Sequence, residues 1–362
     1  MKTLGDGAPI VEHTTAGETH FRRRQNILID IVALLGAVLL CCIAMELTLR
    51  VVFARSLDFS MEMWKYAVAL KQPVANPRLS FVHIPNRSAF LMGVPVSINS
   101  QGLRDGEYPQ VKPPHVYRIL MLGDSTTFGW GVREEDTSAK FLERKLNAHL
   151  PSQYDKAEVI NAGVGNYDTV QEVTYYETRG RNFHPDLVIL MFFINDPEPV
   201  PVEKKGFLMD NSYLLAFSIN RFDEILRFMG LRPDWRQYYK SLYNDHRPGF
   251  QACKQALGDF ATSTRNDGAS ALVAILPELH RINGDSYPFK AEHQKIKDIL
   301  AVEHVPVVEL IDGLKDHRPE EELWVTPKDS HPDAKANDLI SDQLEKWILA
   351  NLKSSNSKGN GT

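Results

Sequence analysis

The stretch Tyr117–Val132, which reads YRILMLGDSTTFGWGV, places a hydroxyl group directly after a buried strand. Its first part, Arg118–Leu122, is a short apolar run typical of a strand, and Gly123 permits the tight turn of a strand-to-helix junction. Ligands of an open parallel sheet bind at this edge, where amides of the next helix can face negative charge. Ser125 therefore fits an exposed nucleophile, and it equally fits a helix cap, because Asp, Ser and Thr are common caps.

The composition limits the class of protein. The chain has 362 residues, 43% of them hydrophobic, which is enough for one domain of roughly 250 residues with appendages. The formal net charge is −5 and the dense cationic cluster is confined to Arg22–Arg24, which argues against nucleic acid as a partner. The three cysteines, Cys41, Cys42 and Cys253, provide no disulfide framework and no CxxC metal site. We therefore expect a fold held by packing, with no metal and no cofactor.

The segment Ile27–Leu49 is predominantly apolar and predicts one membrane helix over residues 27–50. About 20 helical residues span a hydrocarbon core of roughly 30 Å. Asp30 and Glu46 lie toward its two ends, where a charge is tolerated better than at the bilayer centre. A cleaved signal peptide is the alternative, but the run is longer than a usual h-region and no A-x-A-like site follows it. We favour the uncleaved anchor.

The basic residues around this segment bear on its orientation. Arg22–Arg24 precede it, and Arg50, Arg55 and Lys65 follow it, so the two sides are nearly balanced. The tight arginine cluster favours an N-terminus inside. This predicts a single-pass protein of the cytoplasmic (inner) membrane, with its large C-terminal part outside the cytoplasm.

Beyond the membrane helix, short apolar runs alternate with longer helical patterns. This alternation predicts βαβ units and an α/β fold of three layers, α/β/α, with a parallel sheet. The expected strands are Arg118–Leu122, Glu158–Asn161, Leu187–Phe193, Leu272–Leu276 and Val305–Glu309. The expected helices are Ala139–Leu150, Val170–Arg181, Phe250–Asn266, Ala291–Val302 and Ala334–Leu352.

The remaining segments complete the expected domain organisation. Residues 1–26 are expected to form a flexible tail, residues 51–96 a juxtamembrane linker, and residues 353–362 a disordered tail. The linker would hold a hairpin through Ala89–Ile98 and an amphipathic helix within residues 56–75, which rests either on the membrane interface or on the domain. The domain itself covers 97–352, and an aromatic-rich insertion at 199–248 predicts a lid or binding wall, although some of its aromatic residues must be core.

Polar groups cluster in four segments of the domain. Three follow expected strands, and the fourth precedes the last helix; in order they are GDS with Ser125, NAGVGNYDT (161–169), FFINDPEP (192–199) with Asn195, and PKDSHPDAKAN (327–337) with Asp329 and His331. Serine, histidine and aspartate together supply a nucleophile, its base, and a group that orients the base. Asn195 and backbone amides near Ser125 and Gly165–Asn166 could form an oxyanion hole.

Arg104 lies in a polar segment, SINSQGLRDGEYP (97–109), just before the serine strand. Its guanidinium could hold a carboxylate or phosphate of the substrate in bidentate geometry. Fixing a loop by local pairing is the commoner use of such an arginine.

Taken together, the four segments resemble the SGNH (GDSL-type) hydrolase superfamily over roughly residues 97–350. The resemblance implies a flavodoxin-like domain in which Ser125 is the nucleophile, His331 the base, Asp329 its orienting acid and Asn195 an oxyanion donor. Phe193 replaces the usual glycine of the asparagine segment, so a bulky ring is expected to line the site.

Two further departures concern the glycine and histidine segments. Alignment with the NxGVPGYGT form of long, membrane-anchored relatives puts Gly165 at the proline and Asn166 at the glycine, so the second oxyanion amide is open between them. Asp329 and His331 are spaced Asp-x-His rather than Asp-x-x-His. This spacing resembles the subgroup of alginate-type polysaccharide O-acetylation proteins and makes acyl transfer a rival to hydrolysis.

The sequence therefore predicts a membrane-anchored serine esterase that cleaves an acyl or acetyl ester of a carbohydrate or lipid. The first alternative is an O-acetyltransferase that modifies an envelope or exopolysaccharide. The second is a non-catalytic envelope assembly protein, although an idle site has no chemical need of Ser125, His331 and Asp329 together.

Overall fold

The computed structural model describes residues 16–201, 206–283 and 287–359. The helices are α1 Ala16–Val52, α2 Phe59–Leu70, α3 Ser125–Phe128, α4 Ser138–His149, α5 Thr169–Thr178, α6 Phe207–Asn211, α7 Tyr213–Phe228, α8 Trp235–Leu242, α9 Pro248–Asn266, α10 Lys290–Val302, α11 Ile311–Leu314 and α12 Ala334–Gly359. The strands are β1 Lys71–Pro73, β2 Phe81–His83, β3 Arg87–Leu91, β4 Val94–Ile98, β5 Val116–Leu122, β6 Lys156–Asn161, β7 Leu187–Phe192, β8 Ser270–Ile275, β9 Val307–Glu309, β10 Trp324–Thr326 and β11 Asp329–Pro332.

The core of the protein is a five-stranded parallel sheet in the order β6-β5-β7-β8-β9. Numbered by sequence within the sheet this is 2-1-3-4-5, the flavodoxin-like order, and ligands bind such sheets beside the first strand, where the order reverses. Helix α4 packs with α12, and α5 packs with α9, which confirms the predicted α/β/α architecture. Ser125 follows β5, so it lies at the reversal point.

The central strands form where the sequence is continuously apolar, because both faces of a parallel sheet are covered by helices. All seven residues of β5 and all six of β7 are buried. Arg118 is the charged exception within β5. Its guanidinium is buried, pairs with Glu158 at 2.7 Å and also donates to the carbonyl of Phe183. The buried charge is thus matched within the sheet.

Helices α1 and α12 are both longer than the sequence predicts. The chain is helical from Ala16, so residues 16–26 extend the apolar helix rather than form a tail, and residues 1–15 lie outside the described part. At the other end α12 continues from Leu352 to Gly359, where a disordered tail is expected. In both cases residues added to an existing helix require no new nucleation step.

The N-terminal part consists of α1, one turn of 3₁₀ helix at Phe53–Arg55, and then α2 and two small hairpins. Residues Phe21–Arg55 are long and apolar enough to cross a membrane by length and composition, and an 18-residue stretch within them has a mean hydropathy of 2.9. Helix α2 lies against the domain, since Tyr66 is fully buried there. Strands β3 and β4 form the expected hairpin with a turn at Met92-Gly93.

The insertion at 199–248 is largely helical in its described residues and contains α6, α7 and α8. Helix α8 packs on the main core through Trp235 and Tyr239, whereas α7 contacts α1 and α2. The insertion therefore joins the sheet to the N-terminal helices.

Candidate active site

Ser125 is the first residue of α3 and is not the helix cap. Asp124 is the cap, because its carboxylate accepts from the backbone N–H of Thr126 at 2.8 Å. Helix α3 ends after one turn at Gly129, whose φ of +83° requires a glycine. The serine hydroxyl is thus freed from capping and faces the base described next.

His331 lies within hydrogen-bond distance of both Ser125 and Asp329. The hydroxyl Oγ of Ser125 is 2.8 Å from Nε2 of His331, and Nδ1 of His331 is 2.6 Å from Oδ1 of Asp329. An ionised carboxylate only accepts hydrogen bonds, so Nδ1 carries the imidazole proton and Nε2 accepts from the serine hydroxyl. The structure therefore brings together the three predicted residues in the order nucleophile, base and orienting acid.

The Asp-x-His spacing works because both residues lie on a strand. Asp329 and His331 belong to β11, which pairs with β10 in an antiparallel hairpin just before α12. Residues i and i+2 of a strand point to the same face, so a carboxylate two residues before the histidine can reach its ring. On this strand the Asp-x-His spacing thus brings the carboxylate to the histidine ring without the additional residue of the Asp-x-x-His spacing.

Trp130 is a site residue that the sequence analysis missed. Its indole Nε1–H donates to Oδ2 of Asp329 at 3.1 Å, while His331 holds the other oxygen. Burial raises the pKa of Asp329, but the hydrogen bonds from His331 and Trp130 outweigh burial and hold that pKa below its ordinary value. Trp130 lies only five residues after Ser125, and its place in the serine segment was the available signal.

Arg104 is not a substrate-binding residue in this structure. It is 1% exposed, and its guanidinium donates to the backbone carbonyls of Phe128, Gly129 and Val132. These carbonyls end α3 and the turn after it. Arg104 therefore fixes the segment that carries Ser125, which is the alternative of local pairing.

The predicted oxyanion donors divide into available and occupied groups. The amide of Gly165 donates to Oη of Tyr66 at 2.9 Å, so it is already bonded and the prediction for this residue is wrong. Within the described residues, nothing accepts from the backbone N–H of Ser125, that of Asn166, or the side-chain amide of Asn195. Of the two candidates for the second amide, the structure thus leaves Asn166 available.

Two cavities open beside these groups. The first, of about 400 Å³, is lined by His331 and by aromatic side chains that include Phe193, Trp235 and Tyr239, and we call it the aromatic cavity. The second, of about 290 Å³, is lined by Asn166, Asn195 and polar side chains that include Lys71 and Glu198, and we call it the polar cavity. Phe193 thus lies where its replacement of glycine predicted a ring in the site.

Helix α2 supplies two contacts at the site that the sequence analysis did not anticipate. The ring of Phe59 lies 5.5 Å from that of His331, and Phe59 also lines the aromatic cavity. Tyr66 binds the amide of Gly165 and lies within 2.6 Å of Nε2 of His83. The segment after α1 therefore forms part of the site.

A cluster of buried carboxyl groups lies in the loops and helix that follow β6 and β7. Burial raises the pKa of Asp168 to about 7, and burial beside other acids raises the pKa values of Glu172 and Asp196 well above their ordinary range. Both oxygens of Glu172 lack a hydrogen-bond partner in the described structure. Among the described residues, no group of three or more His, Cys, Asp or Glu side chains is arranged to hold a metal ion.

Comparison with known proteins gives one family. The family model for GDSL-like lipases and acylhydrolases matches residues 121–339, which is more than half of the chain. No curated protein matches the chain.

Two solved structures with a similar fold are esterases. The psychrotrophic esterase EstA from a Pseudoalteromonas species is 18% identical, with 66% of this chain and 99% of that one covered at a TM-score of 0.39. The acetylxylan esterase Axe2 from Geobacillus stearothermophilus is 14% identical, with 64% and 93% covered at a TM-score of 0.42. Similarities this distant carry no information on the substrate.

Proposed function

Since the chain belongs to the GDSL-like lipase/acylhydrolase family and is therefore an ester-bond hydrolase, we propose that it is a membrane-anchored, extracytoplasmic serine esterase. The observation that carries this proposal is the contact of Ser125 Oγ with His331 Nε2 at 2.8 Å, with Asp329 on the opposite side of the ring. In the proposal, residues 27–50 cross the membrane and residues 97–352 form the catalytic domain.

The first half of the reaction forms an acyl-enzyme. Oγ of Ser125 attacks the acyl carbon while Nε2 of His331 takes the hydroxyl proton, and Asp329 stabilises the imidazolium that results. The carbonyl oxygen becomes an oxyanion, to which we assign the free N–H groups of Ser125 and Asn166 and the amide of Asn195. Each such donor contributes roughly 2.7–4 kcal/mol when preorganised. The alcohol then leaves with the proton held on Nε2.

The second half releases the acid. Water attacks the acyl carbon and gives its proton to Nε2 of His331, and the bond to Oγ of Ser125 breaks as Oγ takes the proton back. The products are a carboxylic acid and free enzyme. All proton transfers involve Nε2 of His331. These steps use only side chains, backbone amides and water.

From the position of His331 we propose that the aromatic cavity holds the alcohol part of the substrate. The leaving oxygen must take its proton from Nε2, so the alcohol lies on the side where His331 lines a cavity. Trp235 and Tyr239 offer faces for a sugar ring, and Glu278 and His280 offer polar groups for its hydroxyls. We therefore propose an acylated carbohydrate as the substrate class, with an acyl lipid as the alternative.

A screen of the full-length protein in detergent against acetyl and longer acyl esters of sugars and of lipids tests this proposal. We expect turnover that Ser125→Ala removes, with acetylated sugars preferred. Turnover that persists in Ser125→Ala would contradict the assignment of the nucleophile. Preference for lipid esters would keep the mechanism and change only the substrate class.

The acyl-transfer alternative rests on the Asp329-x-His331 spacing and on the aromatic cavity of about 400 Å³ beside His331, which we propose could hold an acceptor sugar. Hydrolysis needs only access of water to the acyl-enzyme, whereas transfer needs an acceptor hydroxyl held near the carbonyl while water is suppressed. A labelled acetyl ester, followed with and without envelope oligosaccharide, separates the two. Label that passes mainly to sugar would make the protein an O-acetyltransferase. A complete lack of acyl-enzyme would support the non-catalytic assembly protein.

The membrane placement is tested separately. A reporter that is active only outside the cytoplasm, fused to the C-terminus, should be active, because Arg22–Arg24 favour an N-terminus inside. The protein should also remain in the membrane after an alkaline wash. Release into the soluble fraction would indicate that the apolar helix is a cleaved signal sequence.

A further inference from the structure

Exposed apolar side chains concentrate in two places. One is α1, the proposed membrane span, and the other is the segment 207–231, which contains α6, α7 and the residues after it. The exposed residues of this second segment are Phe207, Leu208, Met209, Ile219, Phe222, Ile225, Phe228, Met229 and Leu231. Phe228 is 92% exposed and Phe207 is 81% exposed. Contiguous apolar surfaces of this kind mark interaction sites in proteins.

The N-terminus of α7 is attached to α1. The carboxylate of Glu46 accepts from the hydroxyl of Ser212 and from the backbone N–H groups of Tyr213 and Leu214, at 2.8–3.1 Å. Arg50 donates in turn to the carbonyl of Asn211, which ends α6. A residue of the proposed membrane helix therefore caps the insertion helix directly.

This attachment fixes the level of α7 relative to the membrane. Glu46 lies three residues before the end of the apolar run Ile27–Leu49, where α1 leaves the hydrocarbon region. Trp64 and Tyr213 pack edge to face at 4.8 Å beside this point, and Trp and Tyr are enriched at membrane–water interfaces. Helix α7 thus begins at the depth of the interface.

The two faces of α7 differ in what they contact. Ala216 packs with Phe53 and Met61 on the inner face, and Arg221 on the same helix pairs with Asp58. The opposite face carries the exposed residues at spacings of three and four, from Ile219 through Phe222 to Phe228 and Met229. An amphipathic helix that exposes apolar side chains on one face is typical of a helix that lies in a membrane interface.

We propose that residues 207–231 form a second membrane contact, in which the outer face of α7 lies among the headgroups of the bilayer that α1 crosses. This inference rests on the proposed anchor. A lipid surface fits better than a soluble partner because the face is continuous with α1 through Glu46. Trp235, which lines the aromatic cavity, follows four residues after Leu231, so the contact also holds one wall of the site near the membrane.

The test uses the full chain in lipid nanodiscs, with Cys41 and Cys42 replaced by Ala and the buried Cys253 retained. An environment-sensitive fluorophore is attached to Phe228→Cys, to Val302→Cys as an exposed apolar control on α10, and to Leu35→Cys as a control within α1. Quenching by lipids that carry a nitroxide near the headgroup or the acyl chain is then measured.

We expect Phe228→Cys to be quenched at least three times more strongly than Val302→Cys, with the headgroup-proximal nitroxide most effective. Equal quenching at these two sites, with strong quenching at Leu35→Cys, would overturn the second contact and leave the anchor intact. A lack of quenching at all three sites would overturn both. Energy transfer between copies labelled at Phe228→Cys without lipid quenching would assign the face to a second copy of the chain and overturn the proposal.

A charged variant provides an independent measurement. In a background labelled at Leu231→Cys, Phe222→Asp combined with Phe228→Asp should at least halve the lipid quenching, because carboxylates oppose insertion of the face. Val302→Asp is the matched control and should leave the quenching unchanged. Both should retain the wild-type far-UV spectrum. Unchanged quenching in the double variant would contradict the proposal.

Discussion

Asp329 and Glu172 are both buried carboxyl groups on the carboxyl side of the sheet, and their pKa values move in opposite directions. Asp329 accepts from His331 and Trp130, and its pKa is lowered. Glu172 accepts nothing in the described structure, and burial beside Asp196 raises its pKa well above the ordinary range. Burial alone therefore does not set the charge of an acid at this edge. The donors that surround it do.

This difference suits the proposed chemistry. The ionised Asp329 lies across the ring of His331 from Ser125, where it stabilises the imidazolium. Asp196 directly follows Asn195, the proposed oxyanion donor, and burial raises its pKa well above the ordinary range, which favours its neutral form. A negative charge beside an oxyanion would oppose its formation in a low dielectric. The surroundings thus favour the charged form of Asp329 beside the base and the neutral form of Asp196 beside Asn195.

Removal of Ser125 or His331, the two residues that act together with the ionised Asp329, gives the largest expected effect. We expect Ser125→Ala and His331→Ala each to lower kcat by about 10⁶, because a nucleophile and its base act as one unit. The double variant should be hardly worse than either single variant. Ester turnover and far-UV spectra of the three variants are the measurements, and additive losses would show that the two side chains act separately.

Removal of the charge of Asp329 gives the second largest expected loss of kcat. Asp329→Asn keeps the shape but places an amide beside Nδ1, which favours the tautomer with the proton on Nε2. That tautomer cannot take the proton of Ser125, so we expect kcat to fall by about 10⁴. Asp333→Asn, four residues along the chain, is the matched control and should retain activity. A loss of less than tenfold in Asp329→Asn would mean that the carboxylate does not orient His331.

Trp130→Phe tests one of the donors that keep Asp329 ionised. A hydrogen bond to a charged group contributes roughly 1.5–3 kcal/mol, so we expect kcat/KM to fall by about 10- to 100-fold. Since the indole N–H lowers the pKa of Asp329, its loss should move the acid limb of the pH–rate profile to higher pH. Trp324→Phe is the matched control, because its Nε1 has no partner in the described structure. An unmoved acid limb in Trp130→Phe would contradict the account of Asp329.

Glu172→Gln tests the buried acid whose pKa is raised, and we expect it to change the stability of the fold. The folded protein binds a proton at Glu172 above the ordinary pKa of 4.5, whereas the unfolded chain does not. Stability from this group is complete below that pH and falls by about 1.4 kcal/mol per pH unit above it, until the pH reaches the raised pKa of the folded protein. We therefore expect the variant to gain stability over wild type as pH rises from 5 to 8.

Denaturant unfolding at four pH values measures this gain. Glu321→Gln, at an exposed position, is the matched control and should show no pH-dependent difference from wild type. A constant difference between Glu172→Gln and wild type across the range would show that Glu172 titrates alike in the folded and unfolded chains.

The part of the fold that depends on local pattern could be predicted from the sequence. Strand β7 and helix α10 lie within two residues of their expected bounds, because a fully apolar run and a 3.6-residue repeat are local signals. Ser125, His331 and Asp329 could be selected because each belongs to a recognisable segment, Ser125 after a strand and the other two before the last helix. In the structure these three side chains lie within hydrogen-bond distance in succession, Ser125 to His331 and His331 to Asp329.

What could not be predicted depends on contacts between distant parts of the chain. Arg104 reaches the end of α3, 24 residues away, and Tyr66 occupies the amide of Gly165, 99 residues away. Neither contact leaves a periodic pattern in the sequence. The roles of both residues therefore followed from packing, which only the assembled structure defines.

The short connection between α1 and α2 limits where this enzyme can act. Seven residues lead from Val52, the end of α1, to Phe59, and they extend at most about 25 Å. The ring of Phe59 lies 5.5 Å from His331, so the base stays within roughly 35 Å of the end of α1. With α1 as the proposed anchor, the active site cannot move farther than this from the end of α1. A polymeric ester would have to be cleaved while the acylated unit is next to the bilayer.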